Sequence, residues 1–200
     1  FELSHSTPGS WTIYGNGTQL ATGTSIVPFQ TNGEKNYDAG TVVIYYNGTS
    51  WTSIASGLST TAFCSFCNFQ GNLSGINLLM ANGVDAVKKY DGTTVSNLNN
   101  APSGITYIDA HDNRVYGAAG NTIYFSALRK PEDWTTANDA GSIVIESNDG
   151  ETVNSIRSGL QKLTVFKPNS MYELYGTGPS NYRLTPVADN IGILNHRAAT

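Results

Sequence analysis

A β-hairpin pattern recurs along this chain at long, nearly even intervals, and few folds are open to a chain built that way. Leu78–Ala81 leads into Asn82-Gly83 and then Ala86–Tyr90 with Asp91-Gly92; Arg114–Gly117 leads into Gly120-Asn121 and then Thr122–Phe125. Leu163–Phe166 leads into Pro168-Asn169 and then Met171–Tyr175, and a half-copy runs from Gly40 through Val42–Tyr46 to Asn47-Gly48. The turns near positions 40, 83, 120 and 169 are 43, 37 and 49 residues apart. Short strands repeating every 40–50 residues are the mark of a β-propeller, one repeat per blade. A single blade cannot bury both of its faces, so the pattern predicts blades stacked around an axis.

Composition supports this reading. Charged residues are 13% of the chain, about half the usual ~25%. Glycine is plentiful, at 21 of 200 residues. Few charges with many β-branched and aromatic residues suit packed, pleated sheets. No stretch approaches the ~18 apolar residues that would span a bilayer. Residues 1–200 are read as a single β-propeller-like domain, because no Pro-rich or charged linker divides them. The chain opens at Phe1 without a Met or a signal peptide, and it stops at Asn195–Thr200 without a closing strand pattern. At about 42 residues per blade it holds fewer than five blades, a count that does not exclude closure, and it is the missing closing strand pattern that leads us to expect part of a longer protein.

Strand signals dominate the rest. Trp11–Tyr14 runs into Gly15-Asn16-Gly17, and Asn47-Gly48 and Asp91-Gly92 repeat that device directly after a Tyr. Ser142–Glu146, before Asn148-Asp149-Gly150, and Lys162–Val165 alternate apolar and polar side chains as half-buried strands do. Helical turns are expected only around Pro131-Glu132-Asp133 and after Gly192. The expected fold class is all-β, a β-propeller-like array of short antiparallel blades.

Several of these segments carry a resemblance: Ala81–Asp85 with Tyr90–Thr93, Ile108–Tyr116, Ile123–Ser126, Pro131–Trp134, and Leu163–Lys167 with Ser170–Tyr172. Together they resemble the propeller-bearing tail structural proteins of tailed bacteriophages, of the nozzle or hub type. The match covers about residues 78–197, and the first 75 residues match more loosely, as a preceding blade. These are strand-and-turn patterns rather than chemical signatures. The resemblance implies a virion component, a homo-oligomeric and by analogy hexameric ring that contacts other tail proteins and passes DNA during ejection. It supplies no catalytic residue, metal ligand or cofactor.

The chemically suggestive residues each have a plainer explanation. Cys64-Ser65-Phe66-Cys67 is a C-x-x-C pair, but zinc needs four ligands and His5, His111 and His196 are scattered. Cysteines at i and i+3 of a strand point to opposite faces, so ordinary buried thiols outrank a local disulfide, and both outrank metal or redox chemistry. His111 lies among Asp109, Asp112 and Arg114, yet no nucleophile or Gly-x-Ser-x-Gly elbow accompanies it, and a solvated turn or hydrogen-bonded blade edge is expected. Glu132-Asp133, beside Arg129-Lys130, read as a charged surface turn with Trp134 packed between blades rather than as paired glycosidase carboxylates. Tyr37, Tyr45, Tyr46, Trp51, Tyr90, Tyr107, Tyr116, Tyr124, Tyr172 and Tyr175 mostly recur at matching repeat positions, as inter-blade packing requires, although a stacking platform for sugars or bases would use the same residue types. Asn16-Gly17-Thr18, Asn47-Gly48-Thr49 and Asn72-Leu73-Ser74 fit the glycosylation pattern.

Charge constrains partners. The net formal charge is −4, with no basic cluster beyond Lys88-Lys89, whereas tight DNA binding draws on phosphate neutralisation by Lys and Arg. A mildly acidic wall is consistent with passing DNA without gripping it. The expected function is therefore a structural, non-enzymatic component of a phage tail, located in the virion, without cofactor, metal or membrane span. A carbohydrate-binding or glycan-cleaving β-propeller is the alternative. Tyr46–Trp51 resembles the Asp-x-Gly-x-Thr-Trp turn of sialidase blades, with Asn at the acidic place and one residue fewer, and Arg114, Arg129, Arg157, Arg183 and Arg197 neither establish nor exclude a sialidase site. A generic secreted propeller scaffold from a cell surface is a third possibility.

Overall fold

The computed structural model describes residues 2–7, 10–15, 18–23, 27–31, 34–38, 42–46, 51–59, 62–145 and 149–199. The chain divides into two compact units, Phe1–Phe63 and Cys64–Thr200. In the first, β1 (Glu2–Thr7), β2 (Ser10–Gly15) and β3 (Thr18–Gly23) form a three-stranded antiparallel meander. It is followed by a four-stranded one of β4 (Val27–Thr31), β5 (Glu34–Asp38), β6 (Val42–Tyr46) and β7 (Trp51–Ser56). The expected turns at Asn16-Gly17, Gly40 and Asn47-Gly48 lie outside the described residues.

The second unit contains three successive four-stranded antiparallel meanders. The first sheet is β8 (Ser65–Phe69), β9 (Asn77–Ala81), β10 (Lys88–Tyr90) and β11 (Val95–Asn97). Next come β12 (Tyr107–His111), β13 (Arg114–Ala119), β14 (Thr122–Phe125) and β15 (Gly141–Val144). The last sheet is β16 (Ser155–Gly159), β17 (Lys162–Phe166), β18 (Ser170–Tyr175) and β19 (Arg183–Asp189). In each, the repeated turn of the sequence falls between the second and third strands. The first strands β8, β12 and β16 pack side by side, which is how blades meet along an axis. The described fold is thus all-β and propeller-like in arrangement, and it does not close on itself as a barrel.

Alternation along the strands explains why the sheets stack. On β13, Val115 joins a core with Cys67, Leu79, Ile108 and Trp134 between the first and second sheets. Its neighbour Tyr116 points to the other face, into a core with Phe125, Ile156, Leu163, Val165 and Leu174 between the second and third sheets. Each such aliphatic side chain contributes about 1.5–3 kcal/mol on burial. Tyr107 and Tyr172 pack against the second of these cores and Tyr124 against the first, so most of the recurring tyrosines described serve inter-sheet packing. Tyr175 stands partly in solvent.

Two local expectations need correction. The strand after Asn82-Gly83 begins at Lys88 rather than Ala86, so β9 and β10 are joined by a six-residue loop, positions 82–87. The Asn82 side chain sets up that loop, accepting the Val84 and Asp85 N–H groups at 3.0 and 2.8 Å. Pro131–Asp133 forms turns rather than a helical segment, whereas the stretch after Gly192 does contain a short 3-10 turn, His196–Ala198. No helix among the described residues is long and apolar enough to cross a membrane.

Candidate functional site

The turns joining first to second strands gather at one end of the second unit. Between β12 and β13 the turn is Asp112-Asn113, both with positive φ (44° and 59°), as in the type I′ hairpin turn that Asn and Asp tolerate best. Between β16 and β17 it is Leu160-Gln161, and between β8 and β9 a longer loop, positions 70–76. Gly71 in that loop has φ +59°, and a Cβ there would run into the Arg129 carbonyl, which accepts the Asn72 N–H at 2.8 Å.

These turns enclose two adjoining hollows. One, of about 720 Å³, is bordered by His111, Asp112, Ser158, Leu160, Gln161 and Thr177. The other, of about 530 Å³, is bordered by Asn68, Gln70, Gly71, Ile76 and Arg129. Phe69 and Asn113 belong to both, so the hollows form one groove. Leu160 (90% exposed) and Ile76 (67%) stand on its rim.

His111 is not in a solvated turn but at a hydrogen-bonded blade edge, on β12, the first strand of its sheet. It is 6% exposed, its Nδ1 is 2.9 Å from the Ser158 hydroxyl on the neighbouring sheet, and its Nε2 faces the Asp112 carboxylate at 3.5 Å without a hydrogen bond. Asp109, on the same strand, accepts the Ser158 N–H and its neighbour Ala110 N–H, each at 2.8 Å. Burial pushes the Asp109 carboxyl above its usual range, against the pull of those donors and of Arg157.

The remaining candidates belong to the framework. Cys64 and Cys67 are both buried and no disulfide joins them. Burial, reinforced by Asp109, raises the Cys67 thiol well above its usual value, which removes the thiolate a nucleophile or metal ligand would need. Glu132 accepts from Lys89 Nζ at 2.6 Å and the Asn99 N–H at 3.0 Å, pinning a loop across the first sheet. Burial works to raise its pKa, but these donors outweigh it and hold the carboxyl low. Trp134 is buried in the core between the first and second sheets, its Nε1–H donating to the Pro131 carbonyl at 2.7 Å. Asn72 lies in the loop beside the groove, and Asn16 and Asn47–Ser50 lie outside the described residues.

Arg114 stands in the charged run around His111 and among the five scattered arginines of the sequence. It is buried and donates to the Ser126 and Asp139 carbonyls at 2.9 and 2.6 Å while pairing with the Asp139 carboxylate at 2.8 Å. His196 in the 3-10 turn has Nδ1 2.7 Å from Ser155 Oγ and Nε2 3.4 Å from Ser65 Oγ, and its ring stacks on Tyr107. One imidazole therefore touches the first strands of all three sheets, and Arg157 Nε adds a bond to the Ala199 carbonyl at 2.7 Å. Among the described residues no three His, Cys, Asp or Glu side chains come together as a metal would require.

No protein-family model matches the chain, and no curated protein matches it in sequence. Among solved structures it is similar to the extracellular domain of the putative hybrid two-component system BT4673 from B. thetaiotaomicron, with TM-score 0.55 and 14% identity over 94% of this chain and 27% of that one. It is similar also to BBS1N, solved in complex with ARL6DN, with TM-score 0.56 and 12% identity over 92% of this chain and 60% of that one. The chain therefore spans a quarter to three-fifths of the structures it resembles. At such identities the likeness concerns the fold.

Proposed function

We propose that this chain is a structural, non-catalytic assembly module of a bacteriophage tail, a ring component lining the channel through which DNA is ejected. The observation that supports this reading is where the reactive side chains go. Arg114, Glu132 and His196 are spent on holding sheets and loops together, Cys67 is buried in a core, and the one Ser–His contact described beside a hollow, Ser158 with His111, bridges the second and third sheets. The segments that resemble tail proteins are likewise strands and turns of the stacked sheets. The net charge of −4 suits a wall along which DNA moves without sticking.

The test is native mass spectrometry of the purified full-length protein, with electron microscopy and a gel-shift assay on duplex DNA. A ring of identical subunits, six by analogy, with an open channel and no stable DNA complex supports the reading. A monomer at all concentrations, or nanomolar DNA binding, overturns it.

A further inference from the structure

The groove at the turn end of the second unit has features the framework does not use. Four carboxamides, Asn68, Gln70, Asn113 and Gln161, stand along it, and none of their side chains makes a hydrogen bond among the described residues. The Phe69 ring, half-buried and packed on one side against the core between the first and second sheets, lies where the two hollows meet. His111 is an independent sign: a buried imidazole bordering the groove, with Nε2 left without a hydrogen bond, whereas buried polar atoms are nearly always satisfied.

This chemistry selects a ligand class. A carboxamide both donates and accepts, and so does each hydroxyl of a vicinal diol, so a row of amides fits a polyhydroxylated chain better than an apolar one. An aromatic side chain offers an apolar face on which the C–H face of a sugar ring can lie. Asp112 and Arg129 put opposite charges at the two ends, favouring neither an anion nor a cation. An added peptide strand would need an open sheet edge, whereas closed turns form this end. Each hollow is within the ~300–1,000 Å³ of small-molecule sites, and two in line suit a short oligomer.

We propose that this groove binds a neutral, linear oligosaccharide across Phe69, with the four carboxamides and His111 as its polar contacts. Asp112, on its exposed two-residue turn, swings off Nε2 to admit a sugar hydroxyl. The inference stands whether or not the chain is a ring component.

The experiment is a glycan array of neutral glucans, galactans, mannans and chitin oligomers with sulfated heparin oligomers as the anionic control, followed by titration calorimetry and NMR on the best binder. At least one neutral oligosaccharide should bind with Kd below about 1 mM, shift the ring nitrogen signals of His111, and bind at least about tenfold more weakly to Phe69→Ala, a loss of 1.4 kcal/mol. Gln70→Ala, at an exposed position without side-chain bonds, should weaken it severalfold with the fold intact, which guards against misreading an unfolded Phe69→Ala. The proposal is overturned if no neutral glycan binds, if heparin oligomers bind better, if both variants bind as the parent does, or if a crystal structure shows an ordered water alone on His111 Nε2 with the glycan elsewhere.

Discussion

Trp134 shows how a single side chain closes the gap between two sheets. It joins Cys67, Leu79, Ile108 and Val115 in one core and satisfies its own N–H on Pro131, so truncation opens a cavity that neighbours on rigid strands fill poorly. Trp134→Ala should lower stability by about 3–5 kcal/mol, read as a fall in the denaturation midpoint; an unchanged midpoint would mean that the ring is not in the core. Asp109 makes the electrostatic counterpart. Because burial raises its carboxyl, the folded chain holds that proton more tightly than the unfolded one. Its contribution to stability is full below the unfolded pKa and is lost as pH rises through the folded value. Asp109→Asn, which cannot ionise, should therefore gain on the parent between acid and neutral pH, and denaturant titrations at the two ends of that range would show a flat difference if burial were not the cause. At this scale the sequence was informative where chemistry is local. Trp134 beside Pro131 reads as a packed ring from composition alone. The burial of His111 and Arg114 and the half-burial of Asp109 do not, since Ser158 lies 47 and 49 residues from His111 and Asp109, and Ser126 and Asp139 lie 12 and 25 residues from Arg114.

The turns and strands were the most readable level. Alternation in Lys162–Val165 and the turn residues after it place β17 and β18 from the sequence alone, and the same logic places β13 and β14. The strand after Asn82-Gly83 starts two residues later than Ala86 because the Asn82 side chain organises a longer loop with Asp85. The groove was invisible for a different reason. Asn113 and Gln161 stand 48 residues apart, and only the repeat period, applied to first-to-second-strand turns instead of second-to-third, would have aligned them. The Asp112-Asn113 turn itself is testable as an element. Asn113→Val puts a β-branched residue at positive φ and should cost about 1–2 kcal/mol, whereas Asn113→Gly should leave the thermal midpoint near the parent's; equal effects of the two would remove backbone strain as the explanation. The His196 turn is a second case. His196→Ala leaves the Ser155 hydroxyl without its imidazole partner, at about 1–3 kcal/mol, and amide exchange at Ala199 should quicken, unless the segment is held by Arg157 alone.

Across the whole molecule, the second unit is a stack of three sheets with two cores between them, the middle sheet supplying one face to each. Cores of this kind need no covalent help. Both cysteines are buried and unbridged, so the native mass should be the same with and without a reducing agent; a mass that drops on reduction would reveal disulfides between copies. The fold class could be anticipated from spacing because each sheet is contiguous in sequence, strand following strand. The polar contacts that join the sheets could not, because those described fall largely to single residues on first strands and to one short turn.

That turn also sets an order of events. A ribosome delivers β8, β12 and β16 well before His196, so the three sheets can form as a growing chain emerges while the residue that touches all of their first strands is still to come. A product terminated just short of Asn195 would carry every strand of the unit and lack its clasp. Such a chain would keep the residues of both cores and lose the contacts of His196 with Ser155, Ser65 and Tyr107.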